Sequence, residues 1–207
     1  GAFDEILING LSSRHVAAGD FDDDGFDDVA FYEAEAQAVF IYVHDGIGGY
    51  MPASPSFVPV AGVVRDLASP DLDRDDVDDL LVLRRKLKQF PDDPDELTLV
   101  TLLSNQNATF GSPTQFDLET AADMFAVGDL NADLYSDVVA ISRPDGDPVE
   151  GIEVVYVHST EHIEINWTDW ATTSKEPFHV ALGDVDGDGD QDVIVGNEAG
   201  ASVSVYT

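Results

Sequence analysis

The stretch G-D-V-D-G-D-G-D-Q-D-V-I-V-G, residues 183–196, sets Asp184, Asp186, Asp188, Asp190 and Asp192 at alternate positions and runs straight into an apolar segment. Carboxylates this close disfavour one another's ionisation, so a folded chain needs a counter-charge among them. Oxygen-only ligands of high charge density suit a hard cation, and Ca²⁺ takes roughly 6 to 8 oxygens from carboxylates, backbone carbonyls and water. Mg²⁺ fits less well because it keeps its own waters. A solvated acidic turn is the alternative for one isolated loop.

Repetition weighs against that alternative. The pattern recurs from Asp20, from Asp71 and from Asp129, with Asp or Asn at positions 1, 3, 5 and 9 and an aliphatic residue at position 10. The candidate ligands are Asp20, Asp22, Asp24 and Asp28; Asp71, Asp73, Asp75 and Asp79; Asp129, Asn131, Asp133 and Asp137; and Asp184, Asp186, Asp188 and Asp192. Position 7 is Phe26, Val77, Tyr135 or Asp190, so only its backbone carbonyl can be a shared ligand. The front half resembles an EF-hand loop, but position 12 is Phe31, Val82, Ala140 or Val195 in place of a bidentate Glu. The ninth-position Asp must close the site instead.

The flanks predict strands. D-V-A-F-Y, D-L-L-V-L, D-V-V-A-I and D-V-I-V-G follow the loops, and H-V-A-A-G-D, M-F-A-V-G-D and H-V-A-L-G-D precede three of them. Short β-branched and bulky apolar runs ending in a Gly-Asp turn signal read as hairpins with the loop at the tip. The loops start 51, 58 and 55 residues apart, the period of a repeat architecture. A third strand is expected at 38–44, 97–103, 152–158 and 202–206, and a more polar fourth near 56–60, 113–118 and 161–166. Four strands per unit is what a β-propeller blade needs.

These residues resemble the FG-GAP or VCBS repeat, the calcium-binding blade of integrin α-subunit propellers and many microbial surface proteins. The resemblance implies an all-β propeller of four four-stranded blades in a single domain, over about 10–60, 61–118, 119–168 and 169–207. Residues 2–8 would supply the strand that closes the last blade. Part of a larger propeller, seven-bladed for instance, or of a two-chain ring, is the alternative. The resemblance implies up to four Ca²⁺ ions. Copy two has Asp76 at position 6 and lacks the preceding Gly-Asp, and copy three has Leu134 at position 6. A non-Gly residue at a sharp turn is costly if φ is positive, so weak or absent metal is expected first at the sites of Asp71 and Asp129.

Composition bounds partners and location. The net charge is −33, from 42 acidic against 9 basic residues. Such a field disfavours nucleic acid and anionic membranes, and no segment has the roughly 18–20 apolar residues of a membrane span. With only Lys86, Lys88 and Lys175 as lysines, the surface is also that of a protein adapted to high salt, or simply an acidic one. The chain has no Cys, and no signal peptide or lipidation motif, and reads as a mature or excised piece. Open Asp-based calcium sites point to secretion or surface display. N-x-T sequons stand at Asn107 and Asn166.

Catalytic motifs are absent: no Cys nucleophile, H-E-x-x-H, G-x-S-x-G or phosphate loop. His15 and His179, and likewise His44 and His158, hold equivalent repeat positions, which favours structural roles. The reading is a non-catalytic binding or adhesion module for a protein or glycan. Loops such as Asp45–Ser56 or Arg84–Asp95, on a face opposite the calcium hairpins, would contact the partner. A carbohydrate-active enzyme or enzyme-associated domain with paired carboxylates is the alternative, and self-association into a larger ring stands beside both.

Overall fold

The computed structural model describes residues 13–86, 97–118, 122–142, 152–155, 168–171, 177–198 and 201–207. Among them the chain forms fifteen strands and no helix. The first sheet is β1 (Val16–Gly19), β2 (Asp28–Glu33), β3 (Ala38–His44) and β4 (Tyr50–Pro59). The second is β5 (Val63–Ala68), β6 (Leu80–Arg85), β7 (Leu97–Leu102) and β8 (Thr114–Leu118). The third is β9 (Ala122–Gly128), β10 (Asp137–Ser142), β11 (Ile152–Val155) and β12 (Thr168–Ala171), and the fourth is β13 (Pro177–Gly183), β14 (Asp192–Asn197) and β15 (Ser202–Tyr206). Each is an antiparallel meander with strands in chain order.

The Asp-rich loops sit at hairpin tips, as expected. Gly19 pairs with Asp28, Gly128 with Asp137 and Gly183 with Asp192, while in the second sheet the Asp79 amide donates to the Pro70 carbonyl at 2.9 Å. The segments after the loops are apolar at every position because both faces are buried. Positions 11 and 13 of one unit pack on 10 and 12 of the next. Ala30 and Tyr32 lie with Leu80 and Val82, Leu81 and Leu83 with Val138 and Ala140, and Val139 and Ile141 with Val193 and Val195. Innermost strands touch in succession, β1 with β5, β5 with β9 and β9 with β13.

Three such cores join four sheets, and among the described residues no fourth core joins the last sheet to the first. The outward side of the fourth sheet exposes Phe178, Val203 and Val205. On the first sheet, the register aligns Val16, Phe31, Phe40 and Phe57 in one row across all four strands. Phe40 stacks on Phe31 at 5.8 Å between ring centroids and meets Phe57 at 5.9 Å, tilted by 42°.

Adjacent sheets are also latched through the eighth loop position. The Asp20 amide donates to Asp78 Oδ2 at 2.9 Å, the Asp78 amide donates to the Asp20 carbonyl at 3.0 Å, and Ser69 Oγ donates to the Ala18 carbonyl. A Cβ on Gly19 would lie 2.6 Å from Asp78 Oδ2 and 2.9 Å from Ser69 Cβ. One on Gly128 would collide with Gln191, the eighth residue of the fourth loop. The Gly of Gly-Asp is thus the place where the next unit's eighth side chain lands. Pro70 takes that place in copy two, where the eighth residue of the following loop is the small Ser136.

Three sequence expectations change. The fourth strand of the first unit begins at Tyr50, so its loop is only residues 45–49, closed by the Asp45 amide on the Gly49 carbonyl at 2.9 Å. In a meander the β1–β2 and β3–β4 turns share one end, so the Asp45 loop flanks the first ion loop and does not oppose it. The unmarked first strand of copy two is β5, whose register shifts between Val64 and Asp66 and masks the apolar alternation. The closing strand 2–8, the strand expected at 161–166 and most of the Arg84–Asp95 loop lie outside the described residues; Thr168–Ala171 pairs with β11, so the third unit extends past residue 168.

Candidate metal centres

Each loop is wound around its own first carboxylate. Asp20 accepts the amides of Asp24 and Gly25, Asp71 those of Arg74, Asp75 and Asp76, Asp129 those of Asp133 and Leu134, and Asp184 those of Gly187 and Gly189. The fifth carboxylate accepts the amide of position 7 in every loop, at 2.9 to 3.0 Å. Such Asx turns need left-handed residues, and positions 4 and 6 supply them. Asp23, Arg74 and Ala132 have φ of 61°, 63° and 58°, and Asp76 and Leu134 have 66° and 74°. The strain expected at Asp76 and Leu134 is therefore present; position 4 was not foreseen.

The ninth Asp is buried in every copy: Asp28 and Asp137 are 0% exposed, Asp79 1% and Asp192 4%. Its Oδ2 accepts the amide of position 2, from Phe21, Leu72, Leu130 and Val185 at 3.1, 2.8, 3.0 and 2.7 Å. In the first two units Oδ1 also accepts the amide that follows or ends the third strand, from His44 at 2.8 Å and from Ser104 at 2.7 Å. This side chain ties the loop to the sheet whether or not an ion is near.

Positions 1, 3 and 9 converge in three loops. Oxygens of Asp20, Asp22 and Asp28, of Asp71, Asp73 and Asp79, and of Asp184, Asp186 and Asp192 lie within 4.8 Å of one another. The fifth-position Asp24, Asp75 and Asp188 stand outside these groupings. In the third loop Asn131 replaces the third carboxylate and accepts the Asp133 amide at 2.9 Å, and Asp129, Asp133 and Asp137 form no such triad. The second loop, despite its strained Asp76, keeps its triad.

Asp22 Oδ1 and Asp73 Oδ1 are buried with no hydrogen-bond partner. An orphaned buried carboxylate oxygen costs free energy unless something charged or donating meets it. Both face two further carboxylates of the same loop, so the donor set is hard, anionic and unsatisfied, as a divalent cation requires. Without one, these carboxyls hold their protons to higher pH than usual. Burial pushes the Asp28 carboxyl up to about 6 and that of Asp79 to about 7, against their backbone hydrogen bonds. Burial and neighbouring loop carboxylates raise Asp22 and Asp73.

Other polar groups explain themselves structurally. Asp66, raised by burial, accepts the Phe125 amide at 3.2 Å and so joins the second sheet to the third, with His15 and His179 in its electrostatic surroundings. Next to the first ion loop, Phe26 stacks on His44 at 4.7 Å, and Tyr50 meets His44 edge-on at 5.3 Å. Ile47, at the adjoining loop tip, is 92% exposed. Sequence reasoning missed this cluster and the amide donors of His44 and Ser104, since backbone partners carry no residue-type signal.

Comparison with family models matches residues 177–206 to the FG-GAP repeat. The matched residues span the fourth unit, β13 to β15 with its loop, and the match is to the repeat and not specifically to the integrin subunit. Comparison with curated proteins finds no match.

Because the folded carboxyls of Asp28 and Asp79 titrate above their unfolded value of about 3.8, the native state without metal binds more protons than the unfolded chain between about pH 4 and pH 7. Stability of the chelated protein therefore falls as pH rises through that window and levels off above it. Thermal melts in EDTA should give a higher midpoint at pH 5 than at pH 7.5. The stabilisation gained from calcium should be greatest at pH 7.5, where protons no longer compete. A chelated midpoint that rises with pH would contradict the buried-carboxylate account.

Proposed function

We propose that this chain is an extracellular, non-catalytic binding module, a four-bladed calcium-stiffened propeller that presents loops to a protein or glycan partner. The observation that carries the metal reading is the pair of buried, unpartnered oxygens on Asp22 and Asp73, each set among two other carboxylates. Asp20, Asp22 and Asp28 would hold one ion, Asp71, Asp73 and Asp79 a second, and Asp184, Asp186 and Asp192 a third. The resemblance adds Asp24, Asp75 and Asp188 and the seventh-position carbonyls. Calcium would supply the counter-charge and, binding only the folded loops, would add to stability. The third loop, with Asn131 and no triad, would hold an ion more weakly.

The ring would close by packing the outward side of the fourth sheet, with Val203 and Val205, on the Phe31–Phe40 row of the first. The partner face would be the ion-loop end, where Phe26, His44 and Tyr50 stack beside the exposed Ile47. The −33 charge supports partners other than nucleic acid or anionic lipid.

Calcium should raise the melting midpoint of the EDTA-treated protein by roughly 5–10 °C for each site at a hundredfold excess over Kd. Asp22→Asn and Asp186→Asn should each remove one share of that gain and leave the chelated midpoint nearly unchanged. Absence of any calcium effect on the unmutated chain would sink the metal reading.

A Cβ on Gly183 meets only Ile194 Cδ1, at 4.0 Å, in this structure; a ring closed as proposed would bring Asp27 against it, as Asp78 lies against Gly19. Gly183→Ala should then cost about as much as Gly19→Ala, on the order of 1–3 kcal/mol for overpacking, in urea unfolding. A near-neutral Gly183→Ala beside a costly Gly19→Ala would mean that the ring is open or completed by another chain.

A glycan array and a pull-down of secreted proteins, both in saturating calcium, test the partner. Ile47→Asp should abolish whatever binding is found while leaving the melt intact; retained binding would move the partner face elsewhere.

A further inference from the structure

The ion loops of the first and second units are joined by two short hydrogen-bond routes. In the first, Asp28 Oδ2 accepts the Phe21 amide, the Phe21 carbonyl accepts Ser104 Oγ and the Ala108 amide, both at 2.8 Å, and the Ser104 amide donates to Asp79 Oδ1. One residue on each side thus separates the closing carboxylate of one loop from that of the other. Every group in this route is buried, and the Phe21 ring, 0% exposed, meets Phe110 edge-on at 5.6 Å. In the second route, the amide and carbonyl of Asp20 both pair with Asp78, the residue before Asp79. The first ligand of one site is therefore fixed to the chain that bears the last ligand of the other.

We propose that the first and second sites take up calcium as a coupled pair, with Ser104 and Asp78 as the positioning residues through which each site senses the other. The inference rests on the calcium reading above. An ion at Asp73 and Asp79 orders the Ser104 and Asp78 segments, and these hold Phe21 and Asp20 in place for the first site. By linkage, an ion at the first site must strengthen binding at the second by the same factor. The fourth site is the internal control. It does not adjoin the second unit, whose site Asp73→Asn disables, in either an open or a closed order of four, and its second-position Val185 is 56% exposed where Phe21 is sealed.

The test is a calcium titration of the full chain followed by amide NMR, with Gly25, Asp76 and Gly189 reporting the first, second and fourth sites. Asp73→Asn, which disables the second site without touching Ser104, Asp78 or Asp79, should raise the midpoint at Gly25 by about 5–150-fold, the usual span of a coupling, and leave that at Gly189 within roughly twofold. Asp22→Asn read at Asp76 should give the same factor, and serves alone if the first variant does not fold. In Ser104→Ala/Asp78→Ala, with every ligand present, the effect of Asp73→Asn on Gly25 should shrink to its effect on Gly189. A purely structural role for the two residues would lower the melting point but leave the ratio of midpoints unchanged, and that result would overturn their assignment. A midpoint at Gly25 in Asp73→Asn and at Asp76 in Asp22→Asn that is unchanged from the unmutated chain would overturn the coupling while leaving calcium binding intact. If no reporter responds to millimolar calcium, the calcium reading fails and the coupling fails with it.

Discussion

The ninth-position aspartate is the constraint on which the rest of the structure depends. A carboxylate at 0–4% exposure is costly to keep ionised unless it is hydrogen-bonded and compensated. Its backbone partners supply part of that compensation, and in doing so they fix the geometry of the unit. By holding the second-position amide it folds the loop back over the hairpin, and in the first two units it also secures the end of the third strand. Asp28 thus ties β1, β2 and β3 together with one side chain. The remaining negative charge is what suits the loop to a cation: the fold buries the carboxylate for its own reasons, and the charge left over calls for a counter-charge.

The same loops also set the spacing between sheets. In the first two units the second-position side chains, Phe21 and Leu72, are plugs at 0% and 1% exposure, whereas Val185 of the fourth, its amide held in the same way, stays 56% exposed. Position 8 reaches back to the preceding unit, as Asp78 does to Asp20 and Gln191 does beside Gly128. Arg74 of the second loop lies 5.1 Å over the ring of Tyr135 in the third, a further tie between neighbours. One ten-residue pattern therefore carries a turn and a cluster of carboxylates fit for a cation, and in the first two copies a core plug besides. That density of constraint explains why the repeats keep the pattern while the rest of each unit differs.

What could be read in the sequence follows from this. Loop tips and the strands after them were legible because alternate carboxylates and uninterrupted apolar runs are residue-type signals; β3 and β15 fall where expected, at Ala38–His44 and Ser202–Tyr206. β5 was hidden because Arg65 and Asp66 interrupt its apolar character, and Asp66 is there to accept an amide from the third sheet. β4 was read short because Pro52 and Pro55 are poor strand formers, yet β4 runs along the outer side of its sheet, where one face of the ladder needs no donor. At the loops, the sequence pattern singled out positions 1, 3 and 9, whose carboxylates converge in three copies. The departure of position 5 and the left-handed backbone at Asp23, Arg74 and Ala132 were not, since both are set by main-chain amides that the sequence does not display.

Electrostatics ties the candidate metal centres to the surface that would meet a partner. The chain has too few cations to balance its acids internally; Lys86 pairs with Asp117 at 2.7 Å, but a pair so open to water contributes little. Charge in the loops must therefore be met by protons or by ions from solution, and the two have different structural effects. A proton on Asp28 removes one acceptor position and weakens its hold on the Phe21 and His44 amides, whereas a cation leaves the oxygens anionic and able to accept both. His44 is also the ring against which Phe26 and Tyr50 pack, at the root of the Asp45–Gly49 loop. Ion occupancy and the rigidity of that loop thus share one carboxylate, so a partner bound at Ile47 would be bound by a surface whose order depends on the counter-charge at Asp28.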